Sequence, residues 1–273
     1  MTKAATTIMT AALLTAATSC VHEFPFNQGD VDSGTVVVEG YITNEYKRHT
    51  VRLSRLNSYS DTIINAIKGA FVVVTSGTNT YFYRETDDGL YESDEYFVGV
   101  ADNVYYLHIE LADSVVLSAE STMLPVTPPD KITFNRRPDG NLSISHIAES
   151  FVSDNPAKYH LQLSWEDRES HTPQSANIYY YSLTTVDIAQ LFAPKLTETA
   201  FPPGTQIVER KYSVEPAYEN YLRSLLAETR WSGGYFDEAH GNLHTNITSS
   251  VPTVKTAGYF SANTVYIDTI FAR

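Results

Sequence analysis

Cysteine is nearly absent. The only one in 273 residues is Cys20, so no disulfide can form within the chain, and neither a thiol nucleophile nor a cysteine metal site is available beyond that position. Basic residues are also scarce. Nineteen Lys and Arg face 32 Asp and Glu, for a net charge of -13, which excludes nucleic acid as a partner and a basic face for anionic lipid. The chain has no Gly-x-Ser-x-Gly elbow, no His-Glu-x-x-His and no glycine-rich phosphate loop, so the commonest hydrolase, metalloprotease and nucleotide signatures are missing. A strongly apolar run is lacking too. The uncharged stretch 4–21 is rich in threonine and alanine and falls short of the ~20 apolar residues of a membrane-spanning helix.

What is there begins with the placing of Cys20. Lys3 supplies a positive n-region, Ala11 to Ala17 an apolar h-region, and Leu13-Leu14-Thr15-Ala16-Ala17-Thr18-Ser19-Cys20 ends in small residues before the cysteine. That order predicts a lipoprotein signal peptide over 1–19, cut before Cys20, whose thiol and new amine then carry acyl chains. Two or three acyl chains attach a protein stably where one does not. Residues 20–33 contain Pro and Gly without periodicity and are expected to form a lipidated tether. Without disulfides, the remaining chain must be held by core burial alone.

From Gly34 onward, short runs of β-formers alternate with turn residues. Examples are 35–42, 49–54, 70–75, 80–84, 104–111 and 115–120, which predict an N-terminal β-sandwich over 34–124. Leu124-Pro125-Val126-Thr127-Pro128-Pro129 favours an extended connector, so a proline-rich linker is expected at 125–130. Beyond it, Tyr159, Leu161, Leu163 and Trp165 alternate along one strand, and further β-like runs lie at 178–183, 257–260 and 265–270. Tyr218, Tyr221, Leu222, Leu225 and Leu226 recur at helical spacing after Pro216 and before Gly233-Gly234, which predicts one amphipathic helix at about 216–229. The expected fold is mainly β, with two sandwich-like domains (34–124 immunoglobulin- or transthyretin-like, 131–273 carrying the helix).

Several of these runs together resemble a known family. They are Val-Val-Val-Glu-Gly-Tyr-Ile-Thr (36–43), Val-Arg-Leu-Ser-Arg (51–55), Gly-Ala-Phe-Val-Val-Val (69–74), Tyr-Tyr-Leu-His-Ile (105–109), Leu-Pro-Val-Thr-Pro-Pro-Asp (124–130) and Gly-Asn-Leu-His-Thr-Asn-Ile (241–247). With the lipobox ahead of them, they are similar in order to the Bacteroidota outer-membrane lipoproteins of domain-of-unknown-function family 4249. Residues 69–109 also look like a transthyretin-like or carboxypeptidase-regulatory-like sandwich. The resemblance implies an outer-membrane protein encoded beside a TonB-dependent receptor, on either the periplasmic or the surface face. It would act as a non-enzymatic accessory that binds the receptor or a glycan or peptide ligand. An adhesion or assembly component, or a hydrolase of unrecognised type, are the alternatives. The family supplies no catalytic residues to carry over, and no cofactor is expected.

Particular residues offer limited chemistry. Asp237, His240 and His244 form the densest set of metal-ligand types, but Gly241 and Asn242 between the histidines oppose the helix that would align them; a polar connection is expected. Asp87-Asp88-Gly89 is read as a hairpin turn rather than a calcium loop, and Glu166-Asp167 and Glu92 with Asp94 and Glu95 as solvated acids. Tyr81, Tyr83, Tyr105, Tyr106, Tyr179, Tyr180 and Tyr181 offer aromatic surface, of which alternation sends about half to the core. Thr62, Ser114 and Thr269 each sit in Asp-Ser/Thr-aliphatic triplets that resemble an O-glycosylation sequon.

Overall fold

A computed structural model describes residues 34–57, 64–149, 151–152, 154–167, 170–184, 198–229 and 243–273. The expected leader, tether, Cys20, Thr62, Asp237 and His240 lie outside the described residues. Within them the protein is mainly β, with one helix.

The first sheet is built largely from the first half of the chain. It holds β1 (Val36–Thr43), β2 (Thr50–Arg55), β3 (Asn65–Ala66), β4 (Phe71–Ser76), β5 (Asn79–Asp87), β6 (Leu90–Ser93), β7 (Val104–Glu110) and β8 (Val116–Thr122). Two late strands complete it, β15 (Thr248–Ser249) and β16 (Thr256–Asn263), in the order β15-β8-β7-β4-β5-β6-β2-β1-β16 with β3 on β2. Alternation sorts its faces, as in any half-buried strand. Val36, Val38 and Ile42 of β1 are fully buried, as are Val72 and Val74 of β4 and Leu117 of β8, around Tyr91, Tyr105 and Met123.

The second sheet has the order β11-β13-β12-β14-β17. Its strands are β11 (Phe151–Val152), β12 (Ala157–Glu166), β13 (Pro173–Thr184), β14 (Gln206–Ser213) and β17 (Val265–Phe271), and a hairpin of β9 (Thr133–Arg136) and β10 (Leu142–His146) accompanies it. Ile132, Leu142 and Ile144 from the hairpin region share one core with Leu161, Leu163, Ile178 and Ile207 of the sheet. Helix α1 (Pro216–Thr229) buries Tyr218 and Leu222 against Tyr259 of β16. The expected second-domain helix thus packs on a strand of the first sheet.

The proline-rich segment therefore does not separate two self-contained sheets. β16 runs parallel to β1 over eight residue pairs, from Val36↔Thr256 to Thr43↔Asn263. After the single residue Thr264 the chain enters β17 of the other sheet. Two glycines permit the β1–β16 approach. A Cβ on Gly40 would stand 2.8 Å from the Phe260 ring, and Gly258, at φ +84°, would place one 2.1 Å from the Val38 carbonyl. The described residues belong to one compact unit.

A buried polar node fixes the crossover. Thr264 N donates to Ser213 Oγ (2.9 Å) and Thr264 Oγ1 to Leu124 O (2.5 Å). Asn263 Nδ2 donates to Ser213 O at 2.7 Å, Ala262 N to Ser121 Oγ at 2.9 Å, and Val265 N to Asn44 Oδ1 at 2.7 Å. These bonds satisfy backbone and side-chain groups where the strands change sheets.

A candidate ligand cavity beneath strands β14 and β17

Strand β14 alternates Ile207, Glu209, Lys211 and Ser213 toward one face, all buried. On its neighbours, register sets Leu161 and Asp268 beside Glu209, and Tyr159 and Tyr266 beside Lys211. Two buried charged side chains therefore sit between the core residues Leu161 and Tyr159 of β12 and the exposed Asp268 and Tyr266 of β17. Lys211 resolves its burial locally. Its Nζ donates to Thr127 Oγ1 (2.9 Å) and Pro128 O (3.3 Å) and lies 5.7 Å from the Tyr159 ring centroid. Burial lowers its pKa.

Glu209 has no such arrangement. It is 2 % exposed, and its Oε1 is sealed from solvent with no hydrogen-bond partner. Burial, then the negative charge of Asp268, raises its pKa from 4.5 to about 7; Lys211 opposes this and Asp130 adds to it. The carboxyl forms part of the wall of a 610 Å³ cavity, together with Asp130 and Asp268 and the apolar Ile132, Phe134 and Ile270. A volume of this size falls in the range of small-molecule sites.

A second hollow of 490 Å³, along the proline-rich segment, contrasts with it. One of its two acids, Glu219, accepts from Thr184 N and Oγ1, both at 2.6 Å, and from Arg223 Nη2 at 2.9 Å. That carboxylate is fully engaged in tying the helix to β13, which gives it a structural role.

Among the described residues, the acidic and histidine residues singled out from sequence are not brought into one site, whereas Tyr81, Tyr83 and Tyr105 lie near one another. His244 is exposed, and among the described residues no group of three His, Cys, Asp or Glu is placed to hold a metal ion. Asp87-Asp88-Gly89 lies at the turn from β5 to β6, with Gly89 at φ 66° and Asp88 paired to Lys68 at 2.6 Å. Glu166 pairs with His171 (2.8 Å) and Asp94 with Arg84 (3.3 Å), all exposed. Of the tyrosines, Tyr83, Tyr105 and Tyr180 are core residues, while Tyr106 and Tyr179 are exposed and Tyr179 stacks on His160 at 4.6 Å. Ser114 is exposed at φ 64° in the β7–β8 turn, and Thr269 is exposed on β17.

Glu209, Lys211 and β14 itself were missed. The triplet Glu209-Arg210-Lys211 reads as solvated, although Ile207-Val208 before it and Tyr212 after it are β-formers and carry the signal of a strand.

The fold and cavity define a mainly β protein that crosses between two sheets and holds a buried, unpartnered carboxyl beside a small-molecule-sized hollow. The chain belongs to the family described as a domain of unknown function (DUF4249), whose model matches residues 21–267. No curated protein matches it. Among solved structures, a chain titled as a cytokine receptor complex aligns at 15 % identity over 67 % of this chain and 86 % of its own, with a TM-score of 0.22. The chicken CNTN1 FN1–FN3 domains align at 12 % identity over 66 % of this chain and 62 % of their own, with a TM-score of 0.29. Overlaps this low bear on neither architecture nor function.

Proposed function

We propose that this protein is an outer-membrane lipoprotein, anchored through acyl chains on Cys20, that serves a TonB-dependent nutrient uptake system by binding rather than by catalysis. The leader and Cys20 support the anchor, and the family match directly after that cysteine supports a mature domain carried on it. The resemblance drawn from the sequence implies a neighbouring gene for a TonB-dependent receptor, and the uptake role rests on that implication. The observation that carries a binding function is the cavity under β14 and β17, where a buried carboxyl lacks a partner. The test is a tagged full chain expressed from its own locus. It should label with an alkyne-palmitate probe, lose that label in Cys20→Ala, and co-purify with the neighbouring receptor from detergent-solubilised outer membrane. An unlabelled wild type, or a labelled one that never brings down the receptor, would refute the anchor or the uptake role respectively.

One feature favours assembly as a second reading. β17 is an edge strand of its sheet, with Tyr266, Ile267 and Phe271 exposed, and such an edge can accept a strand from another chain. Recovery of self-associated chains instead of receptor would favour it.

A further inference from the structure

We propose that the cavity beneath β14 and β17 binds the primary ammonium group of a ligand with an apolar body, such as an arylalkylamine. This identifies the ligand class of the site on which the binding function above rests. The charge pattern around the hollow is specific. Asp130, Glu209 and Asp268 line it from the segment before β9, from β14 and from β17, while Lys131 and Arg273 also line it. Neither Lys131 nor Arg273 reaches Glu209 Oε1, which has no hydrogen-bond partner. The buried cation on its own strand, Lys211, turns its Nζ to Thr127 and Pro128 instead.

An unpaired buried carboxyl is costly, and a charged donor arriving beside it removes that cost. A metal ion is a poor fit, because no three acidic or histidine groups among the described residues are placed to share one. An ammonium needs no such convergence, and Ile132, Phe134 and Ile270 supply apolar wall for an attached carbon skeleton. The titratable groups facing Glu209 are Asp130, Asp268, Lys211 and Tyr159; burial and the two aspartates, against the field of Lys211, hold the carboxyl partly protonated near neutral pH. Ammonium binding requires the carboxylate, so affinity should rise with pH through about 7.

The experiment is calorimetric titration of the full chain in detergent, with empty micelles as blank, using 2-phenylethylamine and its neutral analogue 2-phenylethanol. The amine should bind saturably and about tenfold more tightly at pH 8 than at pH 6, and the alcohol should bind far more weakly. Glu209→Gln should lose roughly tenfold or more of the amine affinity at pH 8 together with the pH dependence, with an unchanged circular dichroism spectrum. No amine binding, equal binding of the alcohol, or full affinity in Glu209→Gln would overturn the proposal. Should Glu209→Gln fail to fold, the wild-type pH profile and Asp268→Asn decide: a profile displaced to lower pH supports the site, and an unchanged profile and affinity refute it. Receptor co-purification is read separately, so loss of amine binding with the receptor retained refutes the ligand class and leaves the uptake role standing.

Discussion

Glu209→Gln should stabilise the unliganded protein, and the gain should grow with pH. In the folded chain the carboxyl titrates near 7 against 4.5 ordinarily, a gap equivalent to about 3 kcal/mol at most. The sign follows from proton binding. Between those two values the folded state keeps a proton that the unfolded state has released, so wild-type stability falls as pH rises from about 4.5 and the loss is complete above about 7. Asp130 and Asp268 are exposed, so salt screens their part, and a gain of about 2 kcal/mol is expected at physiological ionic strength. Glutamine keeps the shape of the side chain and cannot ionise. Urea unfolding of both proteins at half-unit steps from pH 4.5 to 9 reads the effect, because the titrations of groups not coupled to Glu209 cancel in the difference. A difference that stays flat across this range, or that shrinks with pH, would show that Glu209 is solvated or paired and would refute the description of the cavity.

Further predictions follow from other parts of the fold. Gly258→Ala should cost on the order of 2 kcal/mol or more in urea unfolding, because the new Cβ would meet the Val38 carbonyl at a positive φ; an unchanged midpoint would mean that β1 and β16 pair differently. A fragment of residues 34–126 should fail to give dispersed amide signals alone, since it lacks Phe260 and Ile247 of its core, and should gain them when a peptide of residues 244–264 is added. A fragment that folds unaided would contradict the shared sheet. His49 is buried, accepts from Thr43 N at Nδ1 and donates from Nε2 to the Phe97 carbonyl. Burial lowers its pKa from 6.5 to about 4, so it destabilises the fold as pH falls from about 6.5 toward 4. Its imidazole carbon shifts should stay constant from pH 8 to pH 5, and titration near 6.5 would refute its burial.

Local order was legible in the sequence because it is written in nearest neighbours. Alternation along Val36–Ile42 and Tyr159–Trp165, turn residues at Asp88-Gly89 and the helical spacing of Tyr218, Leu222 and Leu226 each need only a short window of chain. The family relationship was likewise readable from the order of these segments. The cavity was not, because Glu209, Asp268 and Asp130 become neighbours only when β17 pairs with β14 and the end of the proline-rich segment lies alongside. Nor does the run Gln206–Ser213 disclose that Glu209 and Lys211 face inward, since a strand's polarity is set by the layer packed on it. The proline-rich segment shows the same limit. Its composition marks a local stiff connector, whereas a domain boundary depends on where later strands pair. Two of them, β15 and β16, return across it to complete the first sheet, because the parallel edge of β1 is open to Thr256–Asn263 and the glycines at 40 and 258 let the backbones and Phe260 meet. The sequence determined local segments such as β1, β12 and the helix; long-range strand pairing and the layers packed on each strand decided which segments share a core and which charges are left facing a hollow.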